Sequence, residues 1–576
     1  MGDNMLVGID LGTTNSAIAV WQDGEAKLIP NALGDVLTPS AVSVMDNGEI
    51  VTGMAARERQ ANHPKLTATA FKRYIGTDKR VQLGDWQFSA EDLSSFVLKS
   101  LKADAEAFLR ENVDSAIITV PAYFNDKQRK ATVRAASLAG LKVERLINEP
   151  TAAALAHGIH ELEEEEPFLI FDLGGGTFDV SLVEIFEGII EVRASAGDNR
   201  LGGEDFNDVL VQLARTQIDP WGKWNIEEGS EESAALYEIL RATAERVRRD
   251  LSKTDSAEFR IVWQGESHST QVSAASFERE SEPLIKRLRD PVLQSLRDSD
   301  VRGEDLGKVI LVGGATRMPV VRKAVTKMFG RFPETALDPD EAIALGAAVQ
   351  AGLKMRDAAL DEVRLTDVCP FTLGIESAEE RGNKQIVSGL FSPIIDRNTV
   401  IPVSREHVFS PMYDNQRSVE VRVYQGESRM VANNVFLGDV KLPLPRGKKH
   451  EVYFSVRFTY DVSGLLEVDV KDQDGQETRQ LVIQDGADEL SPKDLEKRRL
   501  ELAKLKIHPR DEDANASLMA RAERCYQGYL GPQRDYIGHL ISGFAGLLDT
   551  QDTRKIAEGR KELEKALDEL EGDRFL

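Results

Sequence analysis

The chain has 576 residues, 41% of them hydrophobic and 29% charged, with a formal net charge of −24. That length exceeds one hydrophobic core and sets a soft prior of about two to four domains. An acidic balance of Lys+Arg 72 against Asp+Glu 96 argues against a nucleic-acid binder, which would carry a basic stripe. No apolar run reaches the roughly 18 residues that a membrane helix needs, and MGDNMLVGID has no basic region ahead of a separate apolar stretch. The expectation is a cytoplasmic protein without a secretory signal and without a membrane partner.

The first predicted strand, MLVGID, runs into GIDLGTTNS (8–16), and a second strand, SAIAVW, follows. An Asp at a strand end, then Gly and Thr, leaves backbone N–H groups and hydroxyls free to cradle phosphate oxygens. The carboxylate at such a turn can hold a hydrated Mg²⁺. SAIITV reads as a strand, and residues 126–139 as a helix with Asn125 at its N-cap and Gly140 at its end. ELEEEE (161–166) reads as a solvated loop. PFLIFD and VSLVEI are predicted strands on either side of a second Asp-Leu-Gly turn, IFDLGGGTFDVS (170–181). One such turn is weak evidence, because Gly-rich turns are common. Two, each followed by an apolar β-like stretch, predict a duplicated clamp that grips one nucleotide from opposite sides. Residues 231–252 and 340–354 carry the helical period, and between them KVILVG leads into LVGGATRMP (311–319). Gly313 and Gly314 allow close approach to a nucleoside, and Arg317 can lie flat on a base. GxxxxGK[ST] occurs at none of these turns, and GGGTF lacks the spacing of GxGxxG. Strands alternating with helices predict an α/β fold as far as about residue 355.

From 371 to 485 the period changes to two. SVEVRVYQ, HEVYFSVRFTY, LLEVDVKD and TRQLVIQD, separated by turn signals, predict an antiparallel β block. After about 490, SPKDLEKRRLELAKLKI and RKIAEGRKELEKALDEL read as amphipathic helices, with Ser491 and Asp494 at capping-box spacing. Cys369 and Cys525 read as two buried or incidental thiols, and the eight histidines form no metal-ligand grouping. The expected divisions are 1–360, a connecting run 361–370, 371–488 and 489–576.

GIDLGTTNS, VPAYFND, INEPTAAALAHG, FDLGGGTFDVS, LGGEDF and LVGGATRMP, in this order, closely resemble the DnaK-type heat-shock chaperones. The likeness continues through NTVIPVSREHVFSPMYDNQRSVEVRVYQGE and covers roughly residues 5–505. It implies an actin/hexokinase-like α/β ATPase domain of two lobes around a nucleotide cleft. An antiparallel β-sandwich for peptide binding and a short α-helical lid-like region would follow. Its altered connecting run, a segment shortened before residue 305 and a short helical end make the chain most similar to the short bacterial HscC-type branch.

The resemblance implies roles residue by residue. Asp10 and Asp172 would order the Mg²⁺ shell, and Gly12, Thr13, Thr14, Gly174, Gly175 and Gly176 would wrap the phosphates of ATP or ADP. Lys72 would position the attacking water, with Glu149, Thr177 and Asp179 in the same pocket. Gly203 would also contact nucleotide, and K⁺ is a candidate second ion. Glu245, Arg248, Arg249, Ser252, Gly313, Gly314, Arg317 and Asp340 would hold the nucleoside. Without the resemblance, Lys72, Glu245 and Arg248 would pass as surface charges. Ile375, Val387, Phe409, Met412, Val419 and Val421 would line the peptide pocket, although their pattern alone fits ordinary strand-core residues. Met412, bulkier than the family's usual residue, would alter the groove. Pro121 and Arg129 would relay nucleotide state, and Arg145, Asn148 and Asp367 would face a J-domain co-chaperone.

In the connecting run DEVRLTDVCP, Arg364 and Thr366 interrupt the family's aliphatic linker and leave Val363 and Leu365. Weaker docking, or an acidic partner for Arg364, is expected. A segment shortened before residue 305 puts the usual nucleotide-exchange partner in question, and the short helical end predicts fast client exchange. The leading function is thus an ATP-driven chaperone for extended client polypeptides. The alternatives are a small-molecule kinase on the same fold, a nucleotide-binding co-chaperone without a client cycle, and an actin-like filament former. The β block counts against the kinase, the intact Lys72, Glu149, Thr177 and aspartates against the second, and the appended β and α blocks against the third.

Overall fold

The structure is a computed structural model that describes residues 5–158, 166–186, 189–219, 231–334, 337–357, 360, 364–381, 385–461, 464–474, 478–483 and 509–572. The expected loop 161–165, Val363 and the 491–507 helix with its capping box lie outside the described residues.

The two Asp-Leu-Gly turns close two equivalent hairpins. In the first sheet, β1 (Leu6–Asp10) pairs antiparallel with β2 (Asn15–Gln22), which pairs with β3 (Glu25–Leu28). On its other side β1 runs parallel to β4 (Ser115–Val120). Helix α1 (Asp126–Leu138) follows, and β5 (Lys142–Asn148) extends the sheet parallel to β4. Asn125 caps α1 as expected, its side chain accepting from the Gln128 N–H in a capping box. Helix α2 (Glu149–Gly158) leads to the second sheet. There β6 (Phe168–Leu173) pairs antiparallel with β7 (Phe178–Phe186), and β7 with β8 (Ile189–Asp198). Helices α3 (Gly203–Ile218) and α4 (Glu231–Leu251) come next, and β9 (Lys308–Val312) returns parallel to β6, as β4 does to β1.

Helices α2 and α5 (Ala342–Met355) pack between the two sheets, in one core with Ile117, Ile147, Phe168 and Ile170. Their sequences, EPTAAALAHG and AIALGAAVQAGLKM, are rich in Ala because the backbones nearly touch. A Cβ on Gly346 would lie 1.7 Å from the Ala152 carbonyl oxygen. Any larger residue there would force the helices apart.

Within the run expected to connect the domains, Arg364–Val368 form strand β10. It pairs parallel with β8, Ile189 to Glu191 opposite Arg364 to Thr366. The β block begins with β11 (Leu373–Arg381), β12 (Gln385–Ile395) and the two-residue β13 (Val400–Ile401). β13 pairs with Asp367 and Val368 of β10, so one six-stranded sheet, β9-β6-β7-β8-β10-β13, runs from the α/β part into the β block. The block continues with β14 (Val403–Phe409), β15 (Ser418–Gln425), β16 (Val435–Pro443), β17 (Phe454–Tyr460), β18 (Leu466–Asp472) and β19 (Thr478–Ile483). Two antiparallel four-stranded sheets, β12-β11-β15-β16 and β14-β17-β18-β19, enclose one apolar core. The predicted strand HEVYFSVRFTY starts only at Phe454, since residues 449–451 form a turn.

The β block also touches the α/β part through side chains. Arg397 forks onto Asp298 at 2.7 and 3.0 Å, and Asn398 reaches the same carboxylate at 2.9 Å. Gln425 accepts from the Asp126 N–H, and the Tyr123 and Phe371 rings lie 4.9 Å apart. At the C-terminal end, α6 (Asp513–Gly528), α7 (Pro532–Thr550) and α8 (Thr553–Gly572) pack on one another around Leu518, Ile537, Phe544, Leu563 and Leu567. Cys369 and Cys525 are buried and are not joined in a disulfide, and no described helix is long and apolar enough to cross a membrane.

Candidate nucleotide site

The two turns meet at the bottom of a cavity of about 600 Å³ between the lobes. Gly175 is required by that meeting, because a Cβ on it would lie 2.1 Å from Thr14 Oγ1. Each turn is braced from behind: Ser40 Oγ donates to the Gly12 carbonyl at 2.7 Å, and the Gly203 N–H donates to the Gly174 carbonyl at 2.9 Å. Gly12, Thr13, Thr14, Gly174, Gly175 and Thr177 line the cavity, while Gly176 and Gly203 support the loops beside it.

Asp10 and Asp172 reach the cavity from the ends of β1 and β6, and Lys72 and Glu149 from its flank. Lys72 Nζ donates to Glu149 Oε1 at 2.7 Å, and both side chains are buried. Lys72 also stands 5.5 Å from the centre of the Phe124 ring. Burial pushes the Asp10 carboxyl up to about 7, with the Glu149 charge adding to the shift and Lys72 and the Thr119 hydrogen bond opposing it. Asp172 is raised by burial and by Glu149, Asp179 and Asp10. Asp179 lies behind the cavity lining and is raised to about 8, by burial and then by Glu149, although it accepts from the Ala122 and Tyr123 N–H groups. Asp172 Oδ2 and Asp179 Oδ1 have no hydrogen-bond partner among the described residues. Buried acids crowded this closely, with an oxygen still unpaired, fit the hydration shell of a divalent cation.

The far end of the cavity is built from α4 and the loop after β9. Glu245, Arg248, Arg249, Ser252, Gly313, Gly314, Arg317 and Asp340 all line it. Burial would raise Glu245, but the guanidinium groups of Arg248 and Arg249 hold it well below the ordinary carboxylate range. Arg248 Nε also donates to the fully buried Asn207 at 2.9 Å, and Arg57 approaches Glu245 to 3.6 Å across the cleft. Arg317, expected flat on a base, forks between Asp338 and Asp340 at the rim. Arg57, Thr119 and Asn207 are missed by sequence reasoning. For Thr119 and Asn207 the available signal is a small polar residue on an otherwise apolar strand or helix face.

Behind the cavity, Arg129 donates to Asn148 at 2.6 Å, and Asn148 and Thr151 each donate to Asp367 of β10 at 3.2 Å. Arg145 donates to Gln350 at 3.0 Å and is close enough to Asp367 for the two charges to interact. Pro121, just past β4, accepts the Phe124 N–H. In the β block, Ile375 and Val421 are buried in the sandwich core, and Phe409 and Val419 pack at its margin. Val387 is half-buried on β12, and Met412 half-buried in the loop after β14.

Comparison with known proteins agrees with this arrangement. The Hsp70 protein family profile matches residues 6–573. Chaperone protein DnaK of Thermotoga neapolitana is 41% identical over 519 residues, 87% of this chain and 83% of the relative. DnaK of Thermotoga petrophila and of Thermotoga maritima are each 42% identical over the same shares. With matching motifs, a paired-turn nucleotide cleft and whole-length similarity, the chain belongs to the Hsp70 family of ATP-hydrolysing chaperones.

Proposed function

We propose that nucleotide turnover in the paired-turn cleft controls binding and release of extended apolar polypeptide segments by the β block. The observation that carries this reading is β10. It hydrogen-bonds to β8 on one side and β13 on the other, so lobe movements reach the β block through a shared sheet. The working divisions are an ATPase domain over 1–360, a connection over 361–370, a peptide-binding domain over 371–488 and a helical region over 489–576.

In the cleft, Asp10 and Asp172 would hold a hydrated Mg²⁺, which would supply charge neutralisation for the phosphates. Gly12, Thr13, Thr14 and the backbone of Gly174 and Gly175 hold the phosphate oxygens, with Gly176 bracing the second turn. Lys72, fixed by Glu149, orients water and meets developing negative charge. Burial and ion pairing of these groups support the assignment. Ile375, Val387, Phe409, Met412, Val419 and Val421 form the client pocket. A J-domain co-chaperone reads Arg145, Asn148 and Asp367, whose contacts run from β5 to β10. K⁺ is the second ion, and the cytoplasm is the compartment.

Release of a fluorescent apolar peptide from the full chain tests the reading. ATP is expected to accelerate release at least about fivefold, the low end of ordinary coupling. Lys72→Ala keeps ATP-triggered release and loses turnover. Release that ignores ATP overturns the reading; ATP loss that depends on an added small-molecule acceptor favours the kinase.

A further inference from the structure

The duplicated hairpins invite a comparison of the two aspartates that end them. β4 lies beside β1 as β9 lies beside β6, both pairs parallel. Asp172 has Val312 as its cross-strand partner on β9. On the other side of the cleft, Ile9 pairs with Ile118, which brings the next residues, Asp10 and Thr119, level with each other. One aspartate therefore faces a valine and the other a threonine of nearly the same shape.

The difference is used. Thr119 is fully buried in the sequence SAIITV, and its Oγ1 donates to Asp10 Oδ1 at 2.9 Å. It is the only side chain that donates a hydrogen bond to Asp10 among the described residues. Asp172, opposite Val312, keeps Oδ2 without a partner. A buried hydroxyl in an apolar strand is costly unless bonded, and this one is bonded to the carboxylate itself. When the Asp10 carboxyl is ionised this hydrogen bond is charge-assisted and stronger than a neutral one.

We propose that Thr119 is a positioning residue that makes the two halves of the clamp unequal. It holds one Asp10 oxygen so that the other is aimed at the cation's hydration shell, while Asp172 stays adjustable. The inference rests on the cleft being a Mg²⁺-nucleotide site. Thr119→Val is the informative change, since it gives the first half the side chain that the second half already has.

The test uses the full chain and fluorescent ADP, with affinity measured in chelator and then across a Mg²⁺ titration. In Thr119→Val and Thr119→Ala the half-saturating Mg²⁺ concentration is expected to rise about tenfold, the scale of one hydrogen bond to a charged group. Affinity in chelator stays within about twofold, and Thr119→Ser restores the parent titration. An unchanged Mg²⁺ requirement in the Val and Ala variants overturns the proposal. So does an equal loss of Mg²⁺-free binding, which marks general distortion, or a Ser variant as defective as Val. If Val fails to fold, Ala against Ser decides. Parent protein that binds no ADP at all would instead remove the nucleotide-site reading.

Discussion

At the residue scale the cleft concentrates buried acids whose ionisation is held back by burial and by one another's charge. Asp179 is the simplest case, because its carboxyl sits behind the lining and is raised by burial to about 8. A folded value above the unfolded one, about 4, means that the protonated form stabilises the nucleotide-free fold. That contribution is complete below about pH 4 and lost as pH rises through about 8. Asp179→Asn is therefore expected to raise the stability of the nucleotide-free chain by about 1–3 kcal/mol at pH 9. The gain shrinks as pH falls to 6 and is gone only below about pH 4, where the carboxyl is protonated in the folded and unfolded chains alike. Thermal unfolding of both proteins at the two pH values checks this, and an equal gain at both would contradict it. Asp10, Asp172 and the flanking Gly and Thr residues are legible in sequence, because the strand-turn pattern is local. Thr119 and Asn207 leave only the signal of a polar residue on an apolar face, and their roles become readable only when the partner, from a remote segment, is known.

At the element scale β10 is the decisive piece. Its sequence, RLTDV, alternates too briefly to declare a strand, and it acquires its form by pairing on both edges. Leu365→Pro removes an N–H and fixes φ inside this five-residue strand. ATP is then expected to change peptide release by less than about twofold, below ordinary coupling, while ADP still binds in the cleft. Intact ATP-triggered release in this variant would show that coupling runs elsewhere. The long, periodic or capped elements were readable beforehand: α1 with its Asn125 box, α4, α5 and the alternating strands β15, β18 and β19. β8, IIEVRASAGD, also alternates, Ile190, Val192 and Ala194 buried between Glu191 and Arg193, but its Ala, Ser and Gly have little β preference and it goes unread.

At the scale of the whole molecule the helical end fastens onto both other parts. Gln551, in the turn between α7 and α8, accepts from the Glu406 N–H at 3.2 Å and donates to the Glu406 carbonyl at 3.1 Å. β14 is an edge strand of its sheet, so the amide takes the place of a neighbouring strand there. Arg554, three residues on, comes within 3.9 Å of Glu184 on β7 and Glu191 on β8. Gln551→Ala is expected to speed hydrogen exchange of β14 about fivefold, for about 1 kcal/mol of lost hydrogen bonding. Exchange in the nucleotide cleft stays unchanged. Mass-spectrometric exchange reads both, and an unaltered β14 would mean that the contact adds no protection.

The sequence by itself determined the paired phosphate turns, the change from α/β to antiparallel β near residue 370 and the helical end. These follow from turn chemistry and from periods of 3.6 and 2, which are properties of neighbouring residues. Only the tertiary structure decided that the connecting run is a shared strand and that Arg317 is forked between two aspartates. The same holds for Thr119 against Asp10 and Gln551 against β14. Each of these depends on contacts between segments far apart in the chain, which no local period records.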